Sequence, residues 1–502
     1  SVAITIPSSV FIYGNSIFEK SGLKEVTILS DVDLSVSMFN SNAYLETVNL
    51  SNTLNVIGNY AFKGCTKLKN INIPSSLIAI GNSTFSDSFN IENNTEITLP
   101  ETLESIGKSA FSGAKLKKVT ILGNITVIPE SAFSSCTAEE IVLPNSITEI
   151  QDSAFMYTYK LKNMNIPKSL KTIGSYGFAS SFSKDANVEL ILPESLTSIG
   201  TYAFNKTNIV GIKILGNMTE IPEYAFYYSK YLKYVELPDS VIALNKSSFS
   251  YCSALTNIKI PKNLETIGSS AFSSSFSVDA NVELVLPESL ISIGSFAFDY
   301  SNLSGIKILG NITEIPNRAF NNAKYLKRVE LPDSVTILNN MSFSGCSALT
   351  NIKLPKNLET IGSFAFESSF GEEGIITFDK SVQTIDNTAF NVIDKTKITF
   401  HVYSNTVPKE FAKTNEIKYV QIDPDEINVS GYKSIYKTGE TVDINNLLIE
   451  TIYNEKTIRK EIIKDNINII YNNGESFSDG DTSFKLKAKN SLGYSIEKDI
   501  SV

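Results

Sequence analysis

One apolar frame recurs along most of this 502-residue chain. It is clearest in residues 326–348, which read LKRVELPDSVTILNNMSFSGCSA. The most regular position of the frame is a phenylalanine, and successive phenylalanines lie 21 to 26 residues apart. A period of this length predicts a solenoid, because a unit so short can bury its apolar surface only against its neighbours. The seventeen anchor residues are Phe18, Phe39, Phe62, Phe85, Phe111, Phe133, Phe155, Phe178, Phe204, Phe226, Phe249, Phe272, Phe298, Phe320, Phe343, Phe366 and Phe390.

Each coil begins with a stretch of alternating residues. Residues 329–331, Val-Glu-Leu, follow the alternation of a short parallel strand. The proline that follows in many coils, for example Pro238, has no N–H group to donate and is therefore predicted to end the strand ladder. Leu264 and Ile267 then predict a second short buried segment in the same coil.

The anchor phenylalanine lies in the third segment of each coil. Gly268 is interpreted as a tight turn into Ala271 and Phe272, which we expect to form one turn of α-helix or 3₁₀-helix. In three coils a proline replaces this glycine. Since proline is favoured where a helix begins, the replacement supports the helical interpretation. The three prolines are Pro129, Pro222 and Pro316.

The sequence also has a second, longer repeat, which consists of four coils. Residues 255–290 nearly repeat residues 161–196, 94 positions earlier. Each four-coil unit contains one longer coil, with an extra phenylalanine four residues after the anchor, and these loops are expected on one edge of the solenoid. The extra residues are Phe89, Phe182, Phe276 and Phe370. Residues 398–421 leave the frame and are interpreted as a C-terminal cap.

The four cysteines share one position, three residues after an anchor. Coils stack at roughly 4.8 Å, so the nearest pair, three coils apart, should be separated by about 14 Å. A disulfide requires Cα atoms within about 7 Å. We therefore predict buried free thiols in a position for small residues. They are Cys65, Cys136, Cys252 and Cys346.

The composition argues against several function classes. The formal net charge is −9 and the sequence has no lysine- or arginine-rich block, so we expect neither a nucleic-acid partner nor direct insertion of this segment into a membrane. The sequence has no run of 18 apolar residues. It starts at Ser1 without a signal peptide, which is compatible with removal of a leader.

The pattern changes at Asp423–Pro424–Asp425. Beyond it, short segments with two-residue alternation are separated by turns, which suggests a β-sandwich. We therefore expect two domains, a capped solenoid at residues 1–421 and a second domain at residues 422–502.

The frame Leu-x-x-Ile-x-Leu-Pro-x-x-Leu-x-x-Ile-Gly-x-x-Ala-Phe-x-x-Cys resembles the BspA-like leucine-rich repeat family over residues 2–391. Residues 431–454, GYKSIYKTGETVDINNLLIETIYN, resemble the Ig-like domains of bacterial surface proteins. The expected fold is a β-rich leucine-rich-repeat solenoid, with short parallel strands and a one-turn helix or 3₁₀ turn in each coil, followed by an all-β Ig-like sandwich. The resemblance implies a secreted or cell-surface adhesion protein. It supplies no catalytic, metal or cofactor residues, and we expect no cofactor.

Residues suited to catalysis or metal binding are few. His401 is the single histidine, and its place between Phe400 and Val402 predicts an exposed structural residue. The sequence contains neither a G-x-S-x-G elbow nor a glycine-rich phosphate loop. Segments 472–474 and 478–481 lack the spacing of a calcium loop and are interpreted as turns. Because coils bring distant carboxylates together, a parallel β-helix polysaccharide lyase or hydrolase is the enzymatic alternative.

The outward positions of the first strand are the candidate binding residues. Lysine and glutamate recur there on successive coils, which places opposite charges on neighbouring strands, and tyrosine and arginine are enriched at binding hot spots. We expect a flat face that binds an extracellular protein or glycan. Its candidate residues are Lys213, Tyr234, Glu236, Lys259, Lys307, Arg328, Glu330 and Lys353.

The long loops at residues 179–187 and 273–281 are the alternative binding surface, although their extra phenylalanine is compatible with a plug that folds back. The sequence thus predicts a non-enzymatic, extracellular or cell-surface adhesin or ligand-binding scaffold. A structural stalk that holds other domains away from a cell wall is the alternative from another class.

Overall fold

The computed structural model describes residues 2–10, 13–31, 33–391, 393–437, 439–454, 458–464, 466–471, 476–477, 481 and 483–502. They form two compact units, residues 1–312 with 318–324 and residues 313–317 with 325–502. Segments 472–474 and 478–480, interpreted above as turns, lie outside the described residues.

The first unit contains two ladders of short parallel strands. The long-strand ladder has strands of two to four residues: Ala3–Ile6, Glu25–Ile28, Thr47–Asn49, Asn70–Ile71, Glu96–Leu99, Lys118–Ile121, Glu140–Val142, Asn163–Met164, Glu189–Leu192, Gly211–Ile214, Tyr234–Glu236, Asn257–Lys259, Glu283–Leu286 and Gly305–Ile308. The short-strand ladder has strands of two residues: Val56–Ile57, Ala79–Ile80, Ser105–Ile106, Val127–Ile128, Glu149–Ile150, Thr172–Ile173, Ser198–Ile199, Glu220–Ile221, Ala243–Leu244, Thr266–Ile267 and Ser292–Ile293. Both predicted strand segments of the coil are confirmed.

The strands group into separate sheets, and the breaks follow the four-coil period. One sheet runs from Glu96–Leu99 to Asn163–Met164, and another from Glu189–Leu192 to Asn257–Lys259. The coil between these two sheets is a long one, and it contains Phe182. The long coils of the first unit therefore coincide with breaks in the long-strand ladder, whereas Asn351–Lys353 and Gly374–Thr377 pair across the long coil that contains Phe370. Two long coils also contain short 3₁₀ helices, Ile91–Asn93 and Val278–Ala280.

The anchor segment is a series of turns, so the predicted helical turn is wrong. In the coil of Phe272, Ser270 has a φ angle of 58°, which a right-handed helix cannot contain. The N–H of Ala271 donates within the coil to Gly268 (3.2 Å), whereas the N–H of Phe272 donates to Ala297 of the next coil (2.7 Å). Alternate donors thus bind the neighbouring coil, and this pairing takes the place of helical hydrogen bonds.

The anchor phenylalanines form a buried stack along the axis of the unit. The ring centroid of Phe272 lies 5.5 Å from that of Phe249 and 5.4 Å from that of Phe298, with interplanar angles of 7° and 9°. The extra residue Phe276 is also fully buried and lies 5.4 Å from its own anchor. The phenylalanine of this long loop therefore fills the core as a plug.

Close packing against the preceding coil leaves no room for a side chain at Gly268. A Cβ atom on Gly268 would lie 2.7 Å from the backbone nitrogen of Lys246, nearer than real Cβ contacts allow. Its φ angle lies outside the left-handed region, so the turn itself does not need glycine. Where Pro129 replaces this glycine, the same turn forms, because the N–H of Ala132 donates to the Pro129 carbonyl (3.1 Å).

The second unit contains the same two kinds of ladder. Its long strands are Arg328–Glu330, Asn351–Lys353, Gly374–Thr377, Ile398–Val402 and Lys418–Gln421. Its short strands are Glu314–Ile315, Ile337–Leu338, Thr360–Ile361 and Thr384–Ile385. The helix Val407–Thr414 connects the last two long strands. The predicted cap at residues 398–421 is therefore a strand, a helix and a strand that extend the parallel sheet.

Two antiparallel sheets follow the cap. One consists of Glu426–Ser430, Leu448–Asn454 and Ile458–Ile463, and the other of Asn468–Tyr471, Ser483–Lys489 and Ser495–Ser501, with a 3₁₀ helix at Ile444–Asn446. Residues of both sheets, among them Ile449, Ile463, Phe484 and Leu486, share one buried core. This arrangement confirms the expected β-sandwich.

His401 is half-buried, whereas its sequence position predicted an exposed residue. Its Nδ1 lies 3.0 Å from the hydroxyl of Tyr494, just before the last strand of the second sheet. Burial lowers the pKa of His401. The difference arises from a tertiary contact that joins the cap strand to a turn 93 residues later.

Candidate binding face

Outward side chains of one parallel sheet in the first unit form the candidate site. The strand register places Gly211, Tyr234 and Asn257 side by side, and it does the same for Lys213, Glu236 and Lys259. Every strand in the middle of this sheet is paired on both sides. We call these outward positions the strand face: Glu189, Ile191, Gly211, Lys213, Tyr234, Glu236, Asn257 and Lys259.

Tyr234 lies near the centre of the strand face, and half of its surface (50%) is exposed. The adjacent residue Gly211 is buried although it points outward. A Cβ atom on Gly211 would lie 3.7 Å from Cδ2 of the Tyr234 ring and 3.3 Å from Cγ of Glu189. The Tyr234 ring and Glu189 therefore cover the backbone of Gly211, which accounts for its burial.

Charged side chains surround this tyrosine. Lys213 Nζ lies 2.9 Å from Glu236 Oε2 on the adjacent strand, which confirms that opposite charges face each other there. Lys259 Nζ instead lies 3.7 Å from Oδ1 of Asp239, which is in the turn that follows the Tyr234 strand. These groups are well solvated, so their pairing contributes only about 0–1 kcal/mol to stability.

A shallow depression of about 370 Å³ lies on the strand face. Its charged lining consists of two carboxylates, Glu189 and Glu236, and two ammonium groups, Lys213 and Lys259. The four charges cancel. The site thus offers hydrogen-bond donors and acceptors around an aromatic ring without a net charge.

The other four candidate residues are exposed on other sheets. They occupy the strands Gly305–Ile308, Arg328–Glu330 and Asn351–Lys353. In sequence they stand 94 positions after the first four, with Arg328 in the place of Tyr234. They are Lys307, Arg328, Glu330 and Lys353. The structure therefore brings Lys213, Tyr234, Glu236 and Lys259 together on one sheet, apart from the sheets that hold these four.

A second depression of about 450 Å³ lies against the short-strand ladder and is lined by carboxylates. Asp152 Oδ1 accepts a hydrogen bond from the N–H of Ser175 in the next coil (2.7 Å). Glu149 Oε1 accepts one from the side-chain amide of Gln151 (3.1 Å). These carboxylates thus act as hydrogen-bond acceptors for their neighbours, as structural residues do.

A row of tyrosines lies beside the anchor phenylalanines. It was not predicted from the sequence. The rings of Tyr176, Tyr202 and Tyr224 stack with centroids 4.9 and 4.5 Å apart. Tyr227 makes edge contacts with Tyr224 and Tyr251 at 5.6 and 5.7 Å. Burial raises the pKa of Tyr202 and of Tyr227. The available signal was a tyrosine two residues before three successive anchors. We call these five residues the tyrosine row.

Within the described residues, no cluster of three or more histidine, cysteine, aspartate or glutamate side chains is arranged to hold a metal ion. Over the same part of the chain, no helix has the length and apolar character needed to cross a membrane.

One solved structure, from Bacteroides ovatus, supports the fold. Eleven solved chains match. A leucine-rich repeat protein from Bacteroides ovatus matches with a TM-score of 0.50 and 24% identity, covering 69% of this chain and 88% of its own. A leucine rich cell surface protein from Faecalibacterium prausnitzii (TM-score 0.33, 21% identity) covers 70% of this chain and 86% of its own. The pneumococcal vaccine antigen PcpA (TM-score 0.33, 17% identity) covers 84% and 88%.

Comparison by sequence is more specific. None of the curated proteins matches the chain. The family described as BspA type Leucine rich repeat region (6 copies) matches at residues 2–92, 87–189, 179–283 and 274–397. These overlapping matches span most of the sequence, so the chain belongs to the BspA type leucine-rich repeat family.

Proposed function

We propose that this chain is a non-enzymatic binding protein whose strand face holds an extracellular protein or glycan. The observation that carries the proposal is the half-exposed ring of Tyr234, which leans over Gly211 among charged side chains. Tyrosine is enriched at binding hot spots. A rigid sheet that already holds the ring in place lowers the entropy cost of binding.

An extracellular or cell-surface location is part of the same proposal. It is supported by the repeat family and by the likeness of the C-terminal sandwich to Ig-like domains of surface proteins. We also propose a domain boundary between residues 421 and 422. The last parallel strand ends at Gln421, and the first antiparallel strand begins at Glu426.

Two alternatives predict different behaviour. A structural stalk would retain no ligand. A polysaccharide-cleaving enzyme would release new reducing ends or unsaturated sugars from glycans. The hydrogen bonds that Asp152 and Glu149 accept from neighbouring residues favour a structural role for these carboxylates over catalysis.

The experiment is to immobilise the full chain and probe it with a panel of extracellular matrix proteins and a printed glycan array. We expect retention of at least one ligand, loss of that retention in Tyr234→Ala, and no cleavage of the glycans. The matched control is Tyr224→Ala, which removes a ring of the tyrosine row instead. Retention of no ligand, or loss of retention in the control alone, would contradict the proposal.

A further inference from the structure

The lining of the depression on the strand face suggests a class of ligand. We infer that this depression is a subsite for a neutral pyranose unit of a polysaccharide, with Tyr234 as the stacking platform. The inference rests on the proposed function and narrows its ligand to a glycan.

The aromatic ring supplies the first argument. Tyr234 leans toward the sheet over Gly211, and half of its surface remains open. One face of a pyranose carries mainly C–H groups, and such a face packs on an aromatic ring, whose π face carries partial negative charge. The volume of about 370 Å³ is suited to one or two sugar rings and is open along the sheet for the rest of a polymer.

The charges around the ring supply the second argument. Toward a ligand, Glu189 and Glu236 can accept hydrogen bonds, Lys213 and Lys259 can donate them, and Asn257 can do both. Sugar hydroxyls also donate and accept, so they match this mixed set. The two acids and two bases cancel, which favours a neutral ligand over nucleic acid or a strongly charged peptide.

The backbone supplies the third argument. The strand Tyr234–Glu236 pairs with Gly211–Ile214 on one side and with Asn257–Lys259 on the other. It therefore has no free edge to which an extended peptide could add as a strand. A ligand at this place must therefore be recognised by the outward side chains, which is compatible with a sugar.

The sequence offers a natural comparison. The strand-face residues recur 94 positions later as Glu283, Val285, Gly305, Lys307, Arg328, Glu330, Asn351 and Lys353. Only Ile191 and Tyr234 differ in type between the two sets. Tyr234→Arg therefore replaces the ring by a residue that the same repeat frame already carries, and it tests the ring without disturbing the frame.

The test titrates the full chain with cellohexaose, mannohexaose, chitohexaose and hexagalacturonate, by calorimetry and saturation-transfer NMR. We expect binding of at least one of the three neutral hexasaccharides. Tyr234→Ala and Tyr234→Arg should each weaken it about tenfold or more, and Tyr234→Phe should leave it within about threefold. Gly211→Ala should weaken binding less than Tyr234→Ala does, because its Cβ would be in ordinary contact with the Tyr234 ring at 3.7 Å and would shift the flexible Glu189 side chain only slightly. Gly305→Ala, at the corresponding position of the later repeat, is the control and should have no effect.

The outcomes separate the two proposals. Capture of a protein through Tyr234, with no hexasaccharide bound, would overturn the glycan inference and leave the proposed function standing. Preferred binding of hexagalacturonate would overturn the choice of a neutral ligand. Equal saccharide binding by the wild type and Tyr234→Ala would overturn the site. Retention of no protein and no saccharide would overturn both proposals. Matching thermal melts of the wild type and variants serve as the folding control.

Discussion

The thiol of Cys65 donates a hydrogen bond to the carbonyl oxygen of Phe39, 26 residues earlier, at 3.3 Å. Serine makes the same contact elsewhere, as Ser88 Oγ donates to the carbonyl of Phe62 at 2.9 Å. In these two coils the position three residues after an anchor therefore holds a small residue that also donates a hydrogen bond to the preceding coil. All four cysteines are buried and outside any disulfide, as predicted.

We expect all four thiols to be unreactive in the native protein. Burial raises the pKa of Cys65 to about 12 and that of Cys136 to about 11, and the thiolate is the reactive form. Native protein at pH 8 should release no chromophore from a thiol-disulfide reagent, whereas protein in guanidinium should react at four sites. Fast labelling of the native chain would contradict this expectation.

The same burial predicts a loss of stability at alkaline pH. The folded pKa of Cys65 lies above the unfolded value of about 8.5, so its contribution is complete below that pH and is lost as pH rises toward about 12. Cys65→Ser keeps the donor without the titration. Above pH 8.5 the free energy of unfolding of the wild type should fall relative to that of Cys65→Ser, by at most about 1.4 kcal/mol per pH unit. Urea titrations at pH 8 and pH 10.5 measure it, and a constant difference would refute the prediction.

Phe272→Ala should destabilise the first unit by about 3–5 kcal/mol, because it removes a fully buried ring from the phenylalanine stack. Tyr300→Ala is the control, since Tyr300 is 54% exposed and also lies in an anchor segment. Urea unfolding followed by circular dichroism measures both. If Phe272→Ala unfolds together with the wild type, the stack does not stabilise the fold.

Gly294→Ala should lower the free energy of unfolding by about 1–3 kcal/mol or more, because the added methyl group overpacks the contact between coils. Its Cβ would lie 2.4 Å from the backbone nitrogen of Ser269 in the preceding coil, which cannot move aside as a side chain can. Ser295→Ala, one residue along, is the control and should change the unfolding midpoint little. Equal midpoints for the two variants would show that the coils separate without cost.

The contact of His401 with Tyr494 should make the second unit sensitive to acid. Burial lowers the pKa of His401, so its contribution is present above its unfolded value near 6.5 and is lost as pH falls through the folded value. Wild type should lose more stability between pH 7.5 and pH 5 than His401→Gln. Tyr494→Phe removes only the hydroxyl and tests the hydrogen bond at constant ring volume. An identical pH profile for the wild type and His401→Gln would contradict the prediction.

The sequence alone was sufficient for features that repeat with the coil. The strand at residues 329–331, the buried Phe272 and the free thiol of Cys65 each follow from a position in a frame. A residue at that position contacts the equivalent residue of the next coil. The repeat period therefore predicts both which side chains are buried and which of them touch. Because the coils stack at a constant rise, the number of coils between two residues gives the distance between them along the solenoid.

Only the tertiary structure decided the features that depend on backbone conformation or on partners outside the frame. Ser270 has a left-handed φ because alternate N–H groups bind the next coil, and a serine does not signal that choice. The repeat frame places Gly211 beside Tyr234, but only the folded structure shows that the tyrosine ring contacts the glycine. His401 meets Tyr494 across 93 residues through a contact that no period describes. Such contacts depend on the packing of particular surfaces, and packing is a property of the folded chain.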